Sequence, residues 1–171
     1  MWYVIQTIGG REQHALNLIA KLVDTVVIQE LFIPRCEIMK RIGGVWVKRA
    51  DVMLPGYVFV VTDDPAKLES ELRKNVPLFT KILRNNDTFA PLDKEEIAFI
   101  NAFAKPGTRV AELSTGVIEG DNVVILNGPL LGQTGHIKKI DRHKRLAYLN
   151  MTIMGRQKAI KLGLEIVRKQ A

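Results

Sequence analysis

Gly120-Asp121-Asn122-Val123-Val124-Ile125, followed by Gly128-Pro129-Leu130-Leu131-Gly132-Gln133-Thr134-Gly135-His136-Ile137, is the stretch on which the reading of this chain turns. Glycines at 128, 132 and 135 let a tight loop run between two strands where side chains would clash. Val123 and Ile125 alternate inward before the loop, and Ile137 does so after it. The rival reading is a phosphate-cradling loop. It fails because neither a Gly-Lys-Ser/Thr triplet nor a helical pattern follows. Further β-type runs at 146–151, 158–161 and 165–167 join those at 121–126 and 136–141. Strands repeating every ten residues or so (roughly), with glycine between them, predict a small all-β barrel over residues 117–171.

Working back towards the start, the pattern becomes mixed α and β. Residues 2–8 read as a strand, which Gly9-Gly10 breaks. Ala15, Leu18, Ile19 and Leu22 then fall on one face of a helix. Residues 31–39 read as a strand bent or edged by Pro34, and Gly43-Gly44 is a hairpin turn leading into Val45-Trp46-Val47. Another strand covers 57–61. Asp64 caps a second helix with Pro65 at its first position and Leu68 and Leu72 on its apolar face. Residues 79–83 read as a strand. Asp93 and Glu96 have capping-box spacing, Leu92 and Ile97 are placed as a hydrophobic staple, and Ile97, Ile100 and Ala104 continue the buried stripe. Lys105-Pro106-Gly107 ends that helix. The expected organisation is therefore an α+β domain over 1–105, an antiparallel sheet flanked by helices. A linker over 106–116 and the barrel over 117–171 follow.

Of the 171 residues, nearly half are hydrophobic, enough for packed cores and too many for a disordered chain. No apolar run approaches the roughly 20 residues of a membrane span. Met1-Trp2-Tyr3-Val4 enters a strand directly rather than a secretory signal. Cys36 is the single cysteine, which fits a reducing compartment, and its plainest reading is a small buried hydrophobe. A cytoplasmic location and no membrane partner are expected. Catalysis and metal binding need convergent titratable groups. His14, His136 and His143 show no metal-ligand spacing, and Cys36 has no histidine nearby in sequence. No enzyme, metal or cofactor is expected. The net charge of +7 favours a polyanionic partner. Residues 111–171 hold 10 Lys or Arg against 5 Asp or Glu, so most of the excess lies in the shorter, C-terminal part.

The glycine-punctuated stretch from 120 to 137 resembles the KOW motif. Trp2-Tyr3, Gln6, Gly10 and Glu12 resemble the opening of the NusG N-terminal domain, and Leu54-Pro55-Gly56-Tyr57-Val58-Phe59-Val60 resembles its most recognisable stretch. Domain order, linker and length match too, so the resemblance covers essentially the whole chain. It implies a monomeric elongation factor whose N-terminal domain sits on the clamp helices of the largest RNA polymerase subunit. The contact is implied at Leu54, Tyr57 and Phe59. An amphipathic tyrosine suits a protein interface, although a core strand would equally use it.

Two departures narrow that expectation. In residues 136–145, seven of ten are Lys, Arg or His: His136, Lys138, Lys139, Arg142, His143, Lys144 and Arg145, opposed only by Asp141. Arg156 and Lys158 lie near another turn. An ordinary solvated turn is the bland reading. A run this dense repels itself, and binding RNA phosphates would relieve the repulsion. The second departure is Leu130, where the general elongation factor usually carries an aromatic residue in a loop that contacts a ribosomal protein or Rho. Together these features resemble the LoaP type of NusG paralog, which implies an operon-specific antiterminator recognising an RNA hairpin. The RfaH type, whose C-terminal domain can become helical, fits less well with the β-rich, glycine-rich pattern from 120 to 163. The housekeeping factor with a ribosomal or Rho partner is the alternative.

Overall fold

The computed structural model describes residues 1–77 and 81–167. Its elements run β1 (Trp2–Gln6), α1 (Glu12–Leu22), β2 (Glu30–Phe32), β3 (Arg35–Ile42), β4 (Val45–Val52), β5 (Tyr57–Val61), α2 (Pro65–Asn75) and β6 (Lys81–Ile82). They continue with β7 (Arg84–Asn85), β8 (Thr88–Phe89), α3 (Lys94–Phe103), β9 (Val110–Ala111), β10 (Ser114–Glu119), β11 (Asn122–Asn127), β12 (Ile137–Asp141), β13 (Leu146–Ile153) and β14 (Arg156–Ile166). This is the expected α+β part followed by an all-β part. The expected strand at 79–83 overlaps β6, and its residues 79 and 80 lie outside the described ones.

Contacts divide the chain into two units. The first comprises Met1–Pro34, Pro55–Ala98 and Ile153–Gly155. Its sheet has the order β2-β5-β1-β6, antiparallel throughout. The register sets Val4 opposite Phe59 and Phe32 opposite Phe59, both in the core. Phe32 stacks on Phe59 at 5.6 Å, and Trp2 meets Phe32 edge-on at 5.3 Å. The starts of α2 and α3 are capped as read from the sequence. Asp64 accepts from Lys67 N–H at 3.1 Å, with Pro65 opening α2. Asp93 and Glu96 exchange bonds of 2.8 and 3.0 Å at the start of α3. Leu68 and Leu72 of α2 and Ala15 and Ile19 of α1 are buried, whereas Leu22 is exposed.

Glu12 is also buried, which its helical position did not announce. Its Oε1 accepts 2.9 Å hydrogen bonds from Gly10 N–H and Gly56 N–H, and Gly56 O accepts from Thr7 N–H at 2.8 Å. Gly56 has φ +84, the left-handed region in which a Cβ is strained. Gly10, Glu12 and Gly56, three residues that carry the family resemblance, thus form one hydrogen-bonded clasp between the start of α1 and the turn into β5.

The second unit comprises Arg35–Leu54, Phe99–Thr152 and the described residues from Arg156 onward. Pro34 therefore divides the expected 31–39 strand in two: β2 stays with the first unit and β3 belongs to the second. β3 and β4 are joined by the Gly43-Gly44 turn, with φ +57 and +80. The hairpin belongs with the C-terminal strands rather than with the N-terminal sheet. β3 pairs in parallel with β9, Leu113 N–H donates to Glu37 Oε1 at 3.1 Å, and Lys161 bonds Asp51 at 2.5 Å. The segment 106–116, read as linker, carries β9 and the first residues of β10.

The C-terminal strands form a curled sheet of order β11-β10-β14-β13-β12, in which β10 and β14 pair in parallel. Ile125, Leu146, Leu149, Met151, Ile160, Leu162 and Leu164 supply its buried face. β14 is one continuous strand where the sequence suggested two, because Gly163 does not interrupt it. A Cβ there would collide with the Glu37 carbonyl oxygen, so glycine is what lets β14 close onto β3.

Candidate nucleic-acid interface

The basic run is held by β12, a turn and β13. Register pairs Lys139 with Tyr148, Ile140 with Ala147 and Asp141 with Leu146. Asp141, the lone acid of the run, accepts from Lys144 N–H at 3.1 Å and so fixes the turn. Arg145 closes it at φ +56. β11 and β12 are the two edges of the curled sheet. Between them lies a groove of about 490 Å³. Val123, Ile125, Ile137 and Ile140 give it an apolar lining, and Lys138, Lys139 and Arg142 give it cations. All three cations are exposed.

The other expected RNA-binding residues are placed differently. His136 is exposed in the short 3-10 turn before β12. His143 and Lys144, also exposed, line a separate cavity. Arg145 is committed elsewhere: its guanidinium lies 4.0 Å above the Trp46 ring and 3.0 Å from Glu165. An arginine stacked and paired in this way is a brace rather than a phosphate ligand. Arg156 opens β14 across the hairpin from the end of β13, and β13 is 8 residues long. Arg156 therefore stands roughly 25 Å from the 142–145 turn at about 3.3 Å per residue. The structure brings Lys138, Lys139 and Arg142 together and leaves Arg145 and Arg156 out.

Leu54, Tyr57 and Phe59, expected at a polymerase interface, are 2%, 2% and 0% exposed. Side chains so enclosed offer a partner no surface, and the aromatic stacking of Phe59 on Phe32 accounts for its position. Leu130 is 0% exposed and its N–H donates to Ser114 Oγ at 3.1 Å. The missing ring at this position thus belongs to a core site. Its neighbour Leu131 is the exposed one.

Among the described residues no group of three or more His, Cys, Asp or Glu could hold a metal. Cys36 is buried, and burial pushes its thiol up to about 12, with Lys161 opposing and Asp51 reinforcing the shift. Such a thiol is inert at neutral pH. No helix among the described residues is long and apolar enough to cross a membrane.

Comparison with known proteins identifies the relatives of this chain. The family model described as transcription termination factor nusG matches residues 1–101, and the KOW motif model matches residues 119–150. A transcription termination/antitermination protein NusG of Helicobacter pylori is 28% identical, spanning 98% of this chain and 97% of its own length. One of Streptococcus pyogenes is 30% identical, over 88% of this chain and 86% of its own. A solved structure of Thermotoga maritima NusG, described by its domain interaction, shares the fold at a TM-score of 0.57 and 21% identity. The match covers 95% of this chain and 92% of that one.

Proposed function

The chain belongs to the NusG family of transcription factors, and from that premise we propose that it is an operon-specific antitermination and elongation factor of the LoaP type. In this reading the N-terminal part, 1–105, engages the clamp helices of RNA polymerase, and the KOW part, 117–171, captures a hairpin in the nascent transcript. Carrying both contacts on one chain raises each site's local concentration for its partner. Modest affinities then suffice, and recruitment is selective because both contacts are required.

The observation that supports the RNA contact is the groove between β11 and β12. Three exposed cations stand around an apolar lining, opposed there by Asp121 alone. Lysines and arginine can neutralise backbone phosphates, while the concave lining suits RNA read by shape and by unpaired bases. Tyr57 and Phe59 are assigned to building the N-terminal sheet through β5, and Leu54 to the buried turn that precedes it. They would meet polymerase directly only if the packing around them opened.

The test uses the full chain and structured leader RNAs from operons beside its gene. The double variant Lys139→Glu/Arg142→Glu changes two exposed side chains and should leave the fold intact. RNA binding should fall at least about tenfold, with a shallower salt dependence because phosphate contacts are lost, while polymerase binding persists. Undiminished RNA binding would overturn the assignment. Weak, RNA-indifferent binding by the unaltered chain would favour the housekeeping reading with a ribosomal or Rho partner.

A further inference from the structure

The second unit contains a cavity of about 680 Å³ that the groove assignment does not use. The β3–β4 hairpin supplies Lys40, Arg41, Trp46 and Asp51. The C-terminal strands and turn supply Lys144, Tyr148 and Lys161. Residues some hundred positions apart in sequence thus meet, and no local motif foreshadows them.

Charge and aromaticity coincide here. Asp51 lies 2.5 Å from Lys161 and 3.7 Å from Lys40. Partial burial works to raise the Asp51 pKa, but the hydrogen bond and charge of Lys161, the Val52 N–H and Lys40 together hold it below the ordinary carboxylate range. It remains an anion. One carboxylate cannot balance Lys40, Arg41, Lys144 and Lys161, so the cavity stays cationic. Trp46 and Tyr148 are half-buried rings in its wall. Arg145, clamped to Glu165, pins the Trp46 ring, so little ring freedom remains to be lost on binding. The size falls within the range of about 300–1,000 Å³ usual for small-molecule sites. Aromatic faces beside cations are what a stacked base with its phosphate requires.

We propose that this cavity binds an unpaired ribonucleotide adjoining the RNA held in the β11–β12 groove. The base stacks on the Tyr148 or Trp46 ring, and the phosphate is met by Lys40, Arg41 and Lys144. The two sites are contiguous. Lys139 of the groove pairs in register with Tyr148 of the cavity, and Arg142 and Lys144 leave the same turn towards the groove and the cavity respectively. A strand leaving a stem in the groove would pass directly into the cavity. The proposal rests on the RNA-binding reading above and adds to it the unpaired nucleotide and the participation of the β3–β4 hairpin.

The experiment compares a blunt RNA duplex with the same duplex carrying a single-stranded oligouridine tail, each titrated with the full chain. The unaltered chain should bind the tailed duplex about tenfold more tightly, as stacking of one base would give. Lys40→Glu/Arg41→Glu and Tyr148→Leu should each erase that advantage and leave blunt-duplex affinity unchanged. Tyr148→Phe, which keeps the ring, should preserve it. An unaltered chain that binds both probes equally, or variants that weaken both alike, would overturn the proposal. Failure of the groove reading is distinct: Lys139→Glu/Arg142→Glu would then leave blunt-duplex binding untouched.

Discussion

Replacing Glu12 with alanine should be among the most damaging single substitutions in the first unit. Its carboxylate accepts two 2.9 Å bonds, from Gly10 N–H and from Gly56 N–H, the latter fully buried. Alanine leaves both donors unpaired. Orphaning a buried donor costs about 1–3 kcal/mol, and bonds to a charged acceptor lie at the upper end. Partial hydration of the Gly10 side reduces the total, which gives about 3 kcal/mol. For a chain of this size that corresponds to a fall in melting temperature of about 6–12 °C. Glu12→Gln keeps one acceptor oxygen and should lose about half as much. Differential scanning calorimetry of the three proteins, with urea titration as a check, measures the series. If alanine shifts the transition by less than about 1 °C, within the range of ordinary surface substitutions, the clasp does not hold the Gly56 turn and the structural role given to these motif residues is mistaken.

Other outcomes follow from the same packing. Gly128→Ala places a Cβ 2.5 Å from both Cα and Oγ of Ser114 at φ +95, so the Leu130–Ser114 bond must give way; a loss of about 3 kcal/mol is expected in urea unfolding. Cys36, pushed up to about 12 by burial, should resist a thiol reagent at pH 8 in the native protein and react fully once it is denatured. A thiol pKa raised by folding stabilises the native state below its unfolded value of about 8.5, and that contribution is lost as pH rises towards 12. Asp51 has the opposite sign. Its lowered pKa gives stability that is present above about pH 4 and lost as pH falls through the folded value, so the gap between the native chain and Asp51→Asn should close in acid.

Local chemistry was legible in the sequence and long-range assembly was not. The caps at Asp64 and Asp93, the Gly43-Gly44 turn and the buried Leu68 and Leu72 follow from rules spanning a few residues, and each stands where it was expected. β10 was hidden in apparent linker because Ser114, Thr115 and Gly116 have the composition of a loop and gain strand structure only from partners in β11 and β14. Gly163 looked like a break and is a contact point. At the candidate site, the density of the 136–145 run pointed to Lys138, Lys139 and Arg142, which line one groove. Composition could not separate them from Arg145, whose partners Trp46 and Glu165 are set by tertiary packing. The same limit applies to Tyr57 and Phe59, since alternation marks a shared or opposite face but not what covers it.

Selective RNA capture by the KOW strands is what separates the proposed function from the housekeeping alternative. Equilibrium binding of the full chain to structured leader RNAs from neighbouring operons, across a salt series and against scrambled controls, tests it most directly. Tight binding to one hairpin is expected, weakening steeply with salt and lost in Lys139→Glu/Arg142→Glu. Equal, weak binding to every RNA, unaffected by those two substitutions, would contradict it.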